Sequence, residues 1–241
     1  MKSKSMRLPG FLLPGFLLAL SALPLGTAGA VESTGVNIAN GQTIFNEGKG
    51  EAMACQGCHG GTGLGVDGMG SPRLANIGQA YIVKQLADFA NDSRIPAGMG
   101  AVMNGIAKAL TVQDRRDVAA YLDSLEYVLD PSDLKTLAAD GAKVGQADLG
   151  KLIVTQGIRG KVPACQDCHG FNGRAPHIPA INQQKYVYLV NQMNAWRDDS
   201  RANDPTVGKV GIMRGIAKKL TDEEIANLSA YLSTAPRVAP E

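Results

Sequence analysis

The stretch "ACQGCHGGTG" at residues 54–63 places two cysteines three positions apart, with a histidine directly after the second. A cluster of this kind is compatible with a redox disulfide, half of a zinc site, or a covalent haem anchor. Residues 164–173 carry nearly the same cluster, "ACQDCHGFNG", at a spacing of 110. The residues concerned are Cys55, Cys58, His59, Cys165, Cys168 and His169. The recurrence indicates that one module is present twice.

Further segments repeat around the two clusters. "MNGIAKALT" at 103–111 returns as "MRGIAKKLT" at 213–221, again at a spacing of 110. Between these anchors, "YIVKQLADFANDSR" at 81–94 matches "YLVNQMNAWRDDSR" at 188–201 at a spacing of 107. The first copy therefore has three extra residues after its cluster. A single long period predicts tandem domains, because solenoid repeats are much shorter.

Both copies are predicted to be all-α. Apolar residues recur at helical spacing in residues 81–90 and 188–196, and shorter helices are expected at 38–46 and 149–156. The last helix of each copy begins after a threonine, Thr111 or Thr221, with an acidic residue three positions further on, which is typical of a capping box. The predicted organisation is a signal peptide at 1–30, a first domain at 31–130, a linker at 131–147 and a second domain at 148–241.

The N-terminus has the features of an export signal. Lys2, Lys4 and Arg7 precede an apolar core at 11–25, and a small-residue cleavage site follows at 28–30. A retained membrane anchor is the alternative, but it would need about 20 clean apolar residues, whereas Pro14 and Pro24 interrupt this segment and Pro9 lies just before it. We therefore expect a protein exported to the periplasm, where association with the membrane surface is also compatible with the sequence.

Charge is unevenly divided along the chain. Residues 31–130 hold 7 Lys/Arg and 11 Asp/Glu, whereas residues 131–241 hold 14 and 11. Neither part is basic enough to indicate nucleic-acid binding. An acidic first domain and a basic second domain would orient encounters with charged protein partners.

The order Cys-x-x-Cys-His is typical of c-type haem attachment. Two thiols at this spacing on a helical turn can form thioethers with the two vinyl groups of haem, and the adjacent histidine then binds the iron. A four-thiolate zinc site is the alternative, but each cysteine pair lies in its own repeat with its own histidine. We expect two covalently attached haem c groups, one in each all-α domain.

The second axial ligand to each iron decides the chemistry. The chain has only three histidines, so histidine cannot fill all four axial positions. Methionine is the common alternative and raises the reduction potential. Met103 and Met213 recur at one place, each 44 residues after the proximal histidine. The expected iron ligands are His59 and Met103 in the first domain and His169 and Met213 in the second.

Three other residues bear on this assignment. Met99 is the alternative ligand in the first domain. Met193 aligns with Leu86 on an apolar helical face and is expected in the core. His177 lies eight residues beyond His169, on the same side of the haem, and is expected at the surface or near the propionates.

The two copies, with "CQGCHG…PRL…YIVKQLADF…R…MNGIAKALT…VAAYL" and its echo, resemble the dihaem cytochrome c4 family over essentially all of residues 31–241. The resemblance implies two tandem all-α class I cytochrome c domains, each wrapped round one haem. The resemblance implies that a proline carbonyl after each motif accepts a hydrogen bond from the proximal histidine. Pro72 in "SPRL" and Pro179 in "IPAI" are the matching positions. Such a bond fixes the ring and tunes the iron. The second copy departs from the pattern, having "PAIN" in place of Pro-x-Leu and Pro176 nearby. The resemblance also implies that the two haems approach each other across a domain interface.

An iron held by histidine and methionine has no open position for a substrate, so an electron carrier is expected and not an enzyme. The resemblance implies redox protein partners: a periplasmic or membrane-bound respiratory donor and an acceptor such as a terminal oxidase. Two alternatives stay open. One is the cytochrome subunit of a catalytic complex, for example of the flavocytochrome sulfide dehydrogenase type, and the other is a dihaem enzyme with an open iron position.

The first prediction concerns stoichiometry. If each cluster anchors one haem, the purified chain holds two haems, which the absorbance of its pyridine haemochrome relative to protein concentration will measure. A zinc or disulfide protein would give no haemochrome spectrum at all.

Overall fold

The computed structural model describes residues 35–170 and 176–236. The predicted signal peptide at 1–30 lies outside these residues and stays a prediction. Within the described ranges, no helix combines the length and the apolar character needed to cross a membrane.

The first half of the chain is helical, as predicted. Its α-helices are α1 (Ile38–Glu47), α2 (Gln56–His59), α3 (Gln79–Ala90), α4 (Val102–Ala109) and α5 (Val112–Ser124). Two short 3-10 turns, at Asp67–Met69 and Gly98–Ala101, precede α3 and α4.

The second half repeats this order with two additions. Its helices are α6 (Leu134–Ala139), α7 (Ala147–Gln156), α8 (Cys165–His169), α9 (Tyr186–Arg197), α10 (Ile212–Ala217) and α11 (Asp222–Thr234). The sequence predicted neither α6 nor a strand. Helix α6 lies inside the predicted linker and is capped by the Asp133 side chain, which accepts from two backbone N–H groups. A small hairpin, β1 (Thr206–Val207) with β2 (Val210–Gly211), forms because Gly208 adopts the positive φ of a tight turn.

Both predicted capping boxes are confirmed. Thr111 accepts from the backbone N–H of Asp114 and Thr221 from that of Glu224, and each acidic side chain accepts in return from the backbone N–H of its threonine. The reciprocal bonds satisfy two N–H groups that have no partner within the helix. They fix where α5 and α11, the long last helices of the two halves, begin.

Each half has its own apolar core, and in each the first long helix crosses the last at close range. A Cβ at Gly41 of α1 would overlap the backbone carbonyl of Asp117 in α5. A Cβ at Gly150 of α7 would likewise overlap the carbonyl of Asn227 in α11. Glycine is therefore required at both crossings, and the crossing helices form the frame against which the cysteine clusters pack.

Two buried arginines join the halves through what we call the arginine network. Arg94 donates to Gln85 of its own half (2.7 Å) and to Gln192 of the other (2.7 Å). Arg201 donates to Gln192 of its own half (2.6 Å) and to Gln85 of the other (3.2 Å). The network also includes the hydroxyl groups of Tyr81 and Tyr188. Its members come in pairs that are 107 residues apart, so the contact is nearly symmetric.

A prediction follows for the helix crossings. Gly150→Ala is expected to destabilise the protein by about 2 kcal/mol or more, because overpacking of this kind displaces backbone. Denaturation by guanidinium, followed by circular dichroism, will measure the loss. Gly105→Ala is the matched control, since a Cβ there meets nothing within 4 Å and alanine is the better helix former by about 0.5–1 kcal/mol. Equal midpoints for the two variants would contradict the packing argument.

Candidate haem sites

The two cysteine clusters lie on single helical turns. His59 donates its backbone N–H to the carbonyl of Cys55 at 3.0 Å, so the motif winds once between the first cysteine and the histidine. Cys55 packs against the first core and Cys165 against the second. Each cluster thus presents one sulfur to the interior, with the histidine one turn further on.

The surroundings of the inner sulfurs suit an uncharged group. Burial raises the pKa of the Cys55 thiol to about 11, and it raises that of Cys165 to about 11 as well. The four cysteines form no disulfide with one another. A thioether has no proton to lose, so burial carries no ionisation penalty for it. These sulfurs therefore fit covalent attachment to haem.

Each motif histidine is held by a proline carbonyl. His59 Nδ1 lies 3.0 Å from the Pro72 oxygen, and His169 Nδ1 lies 2.9 Å from the Pro179 oxygen. Burial lowers the pKa of both imidazoles, and the carbonyls offset only part of that effect. Because a carbonyl can only accept, the proton of each neutral ring is on Nδ1. The Nε2 atom of each ring therefore keeps a free lone pair, which is what a ligand to haem iron must provide.

The methionines differ in their surroundings. Met103 on α4 packs against the same core as Cys55, and Met213 on α10 packs against the same core as Cys165. Met99, the alternative ligand, is 69% exposed. Met193 is buried in the second core, which confirms its expected packing role. Recurrence thus distinguishes Met103 and Met213 from Met193, and packing against a core distinguishes them from Met99.

Sequence reasoning did not explain the glycine-rich loop after His59, and the structure gives it a part in the first site. Gly65 donates its N–H to the carbonyl of His59 at 2.8 Å. Its φ is +81°, and a Cβ there would lie 2.6 Å from the carbonyl carbon of Pro72. Ser71 donates from Oγ to the Cys58 carbonyl at 2.5 Å. The loop therefore packs closely against the Pro72–Arg73 peptide whose carbonyl accepts from the proximal histidine.

The same loop also reaches the second half of the chain. Asp67 accepts a hydrogen bond of 3.1 Å from the backbone N–H of Val187, in the first turn of α9. The residues that make the first copy longer thus contribute a cap to a helix of the other copy.

His177 is exposed, and Met69 in this loop is 39% exposed.

A buried arginine next to Pro72 was also missed as a site residue. Arg73 has no solvent exposure, and it donates to the carbonyls of Ala75 (3.0 Å) and Val128 (2.9 Å). Its Nη2 has no acceptor among the described residues. A buried guanidinium N–H without a partner is costly and would suit a carboxylate such as a haem propionate.

Two sites of this kind in one chain define a tandem c-type cytochrome. A family model described as "Cytochrome c" matches residues 38–126 and again 147–236. The chain belongs to the cytochrome c family, within its dihaem cytochrome c4-like members, and it carries two covalently attached haem c groups.

Relatives of two descriptions support this placement. The "Cytochrome c4" of Stutzerimonas stutzeri is 35% identical over 197 residues, covering 77% of this chain and 86% of the relative. The "Thiosulfate dehydrogenase electron acceptor" of Thiomonas intermedia is 33% identical over 189 residues, covering 77% and 80%.

Solved structures are similar as well. Reduced cytochrome c4 from Pseudomonas stutzeri has a TM-score of 0.64 and 30% identity, covering 83% of this chain and 99% of that one. A thiosulfate dehydrogenase from Marichromatium purpuratum has a TM-score of 0.71 and 28% identity, covering 84% of this chain. The match spans only 41% of the Marichromatium chain.

Contact between the loop and the proline peptide yields the next prediction. Gly65→Ala is expected to push the Pro72 peptide away from His59 and weaken their hydrogen bond. A weaker bond leaves the imidazole a poorer electron donor, so the reduction potential of one haem rises by about 20–60 mV, equivalent to about 0.5–1.5 kcal/mol. Spectroelectrochemical titration measures the change.

Gly68→Ala, in the same loop, is the control because a Cβ at Gly68 meets nothing within 4 Å. Both potentials should keep their native values in this variant. The interpretation fails if the two substitutions shift a potential equally.

Proposed function

We propose that this protein is a periplasmic dihaem cytochrome that carries single electrons between a respiratory donor and an acceptor such as a terminal oxidase. Bound haem supplies a one-electron iron couple at each site. The observation that carries the proposal is the duplication of one complete set of groups. Each half has a cysteine pair, a buried histidine bound to a proline carbonyl, and a methionine on the adjoining core.

Each member of the set has a separate task. The cysteines Cys55, Cys58, Cys165 and Cys168 attach the two haems. Pro72 and Pro179 orient the proximal rings through their carbonyls. His59 with Met103, and His169 with Met213, are the iron ligands. The methionines close the remaining iron position and raise the reduction potential, so the sites favour electron carriage over substrate chemistry.

Partners of a carrier are other redox proteins, which it must meet and leave quickly. An acidic first half and a basic second half allow it to present different surfaces to a donor and an acceptor. The predicted export signal supports a periplasmic location. The cytochrome c4 relatives support the carrier role in general terms.

A second candidate is an electron acceptor that works with one catalytic enzyme. Two relatives are described as thiosulfate dehydrogenase electron acceptors, which favours an enzyme of that class as the donor. The two candidates share the same haem chemistry and differ in the donor. A thiosulfate dehydrogenase given thiosulfate should reduce the oxidised protein under the second candidate, whereas thiosulfate alone should not.

The axial ligands provide the direct test. Replacing Met103 or Met213 with leucine is expected to halve the weak far-red absorption band of the oxidised protein, which reports the sulfur–iron bond. Each replacement should also lower one of the two potentials, because methionine raises the potential of the iron that it binds. Absorption spectra and redox titrations provide both measurements.

Met193→Leu is the matched control, because Met193 on α9 is also buried but packs inside the second apolar core. It should leave the band and both potentials intact. Binding of carbon monoxide by the reduced native protein, or a high-spin iron signal, would favour a dihaem enzyme over a carrier.

A further inference from the structure

The two peptide groups that hold the proximal histidines are also bonded to the opposite half of the molecule. The peptide between Pro72 and Arg73 accepts from His59 through its carbonyl, and its N–H donates to the side-chain oxygen of Gln184 at 2.7 Å. In the second half, the carbonyl of Pro179 accepts from His169. The N–H of that same peptide, on Ala180, donates to the carbonyl of Ile77 at 3.0 Å.

This exchange is reciprocal in the repeat. Pro72 and Pro179 are 107 residues apart, and so are the two acceptors, Ile77 and Gln184. The residue at this one repeat position in each half therefore accepts a hydrogen bond from the N–H of the proline peptide in the other half. The second copy uses a side chain where the first uses backbone, and the Gln184 amide also donates to the Arg73 carbonyl at 3.0 Å.

The groups involved are shielded from water. Arg73, Ile77, Ala180 and Gln184 are at most 5% exposed. In such an environment hydrogen bonds are stronger than in water, and successive bonds polarise one another by about 10–30%. An amide whose N–H is engaged is a better acceptor at its carbonyl. The bond from Gln184 should therefore strengthen the bond between His59 and Pro72.

We propose that Gln184 is a positioning residue for the first haem site, although it belongs to the second half of the chain. The Ile77 carbonyl has the same role toward His169. The hydrogen bond at Nδ1 governs how strongly a ligating imidazole donates electrons to its metal, so each half sets part of the reduction potential of the other. This inference rests on the proposed function only in assigning His59 and His169 as iron ligands.

The test uses the full-length holoprotein with Gln184→Met, which keeps the side-chain length. It removes both hydrogen bonds to Arg73 and the one that the Lys185 N–H donates to the Gln184 side chain. In the reduced, diamagnetic protein, the Nδ1 proton of His59 is expected to move upfield, while that of His169 stays in place. The reduction equilibrium constant of the first haem should rise about two- to fivefold, because its ligand becomes a weaker donor. Nitrogen-15 spectra of histidine-labelled protein and redox titrations provide the two measurements.

Asn203→Ala is the matched control. Asn203 also bonds across the halves, to the side chains of Gln85 and Asp88, but within the described part of the chain no hydrogen bond joins it to either proline peptide. Its loss should move neither histidine signal. The proposal is overturned if Gln184→Met leaves the His59 signal unchanged, or if Asn203→Ala moves it equally.

A measurement on the native protein covers the case in which Gln184→Met does not fold. The Arg73 amide proton should exchange with solvent as slowly as protons of the core helices, and fast exchange would overturn the proposal. Failure of this inference is distinct from failure of the proposed function. A native protein that lacks the far-red band refutes methionine ligation, whereas unmoved histidine signals with the band intact refute only the role of Gln184.

Discussion

A buried imidazole that binds a metal needs an acceptor for the proton on its other ring nitrogen if that N–H is to be satisfied and the ring held in place, and this requirement organises both halves of the molecule. The acceptors are the carbonyls of Pro72 and Pro179, each at hydrogen-bond distance from a histidine that a helical turn has placed. The glycine-rich loop packs against the Pro72 peptide, and Gln184 of the opposite half of the chain accepts a hydrogen bond from its N–H. Segments far apart in the sequence therefore converge on one peptide group, because its position sets the direction of the free lone pair.

The arginine network imposes a second constraint, on how the halves are held together. Arg94 and Arg201 are buried and bond to amide and phenol oxygens in the network itself, while their guanidinium groups lie over Phe89 (4.7 Å) and Trp196 (4.1 Å). Removing a guanidinium from water is costly unless nearly all of its N–H groups are satisfied. Since most of the acceptors in the network come from the other repeat, separation of the halves would leave these N–H groups unpaired. The network thus favours one fixed arrangement of the two halves over many loosely associated ones.

Much of this arrangement could be predicted from the sequence, because the governing signals are local. The caps at Thr111 and Thr221 and the two Cys-x-x-Cys-His turns act within a few residues of where they appear. The prolines lie 13 and 10 residues beyond their histidines, and the family resemblance pointed to them. Contacts between residues more than a hundred positions apart could not be read in this way, and those of Gln184 with Arg73 and of Asp67 with Val187 belong to that group. The polar residues shared by the two copies at a spacing of 107 were a usable signal. A glutamine kept on the apolar-patterned helix and an arginine kept just after its end, in both copies, indicate a polar contact between the copies.

The cap that Asp67 gives to α9 bears on whether the two copies are interchangeable. Two identical copies would form a symmetric pair in which each could replace the other. Here the first copy carries a loop whose Asp67 caps a helix of the second, and the second copy offers Gln184 where the first has Ile77. The copies have become specialised parts, so a dimer assembled from either one alone would lack a contact that the natural pair contains. Fusion in a single chain keeps the two complementary versions matched one to one.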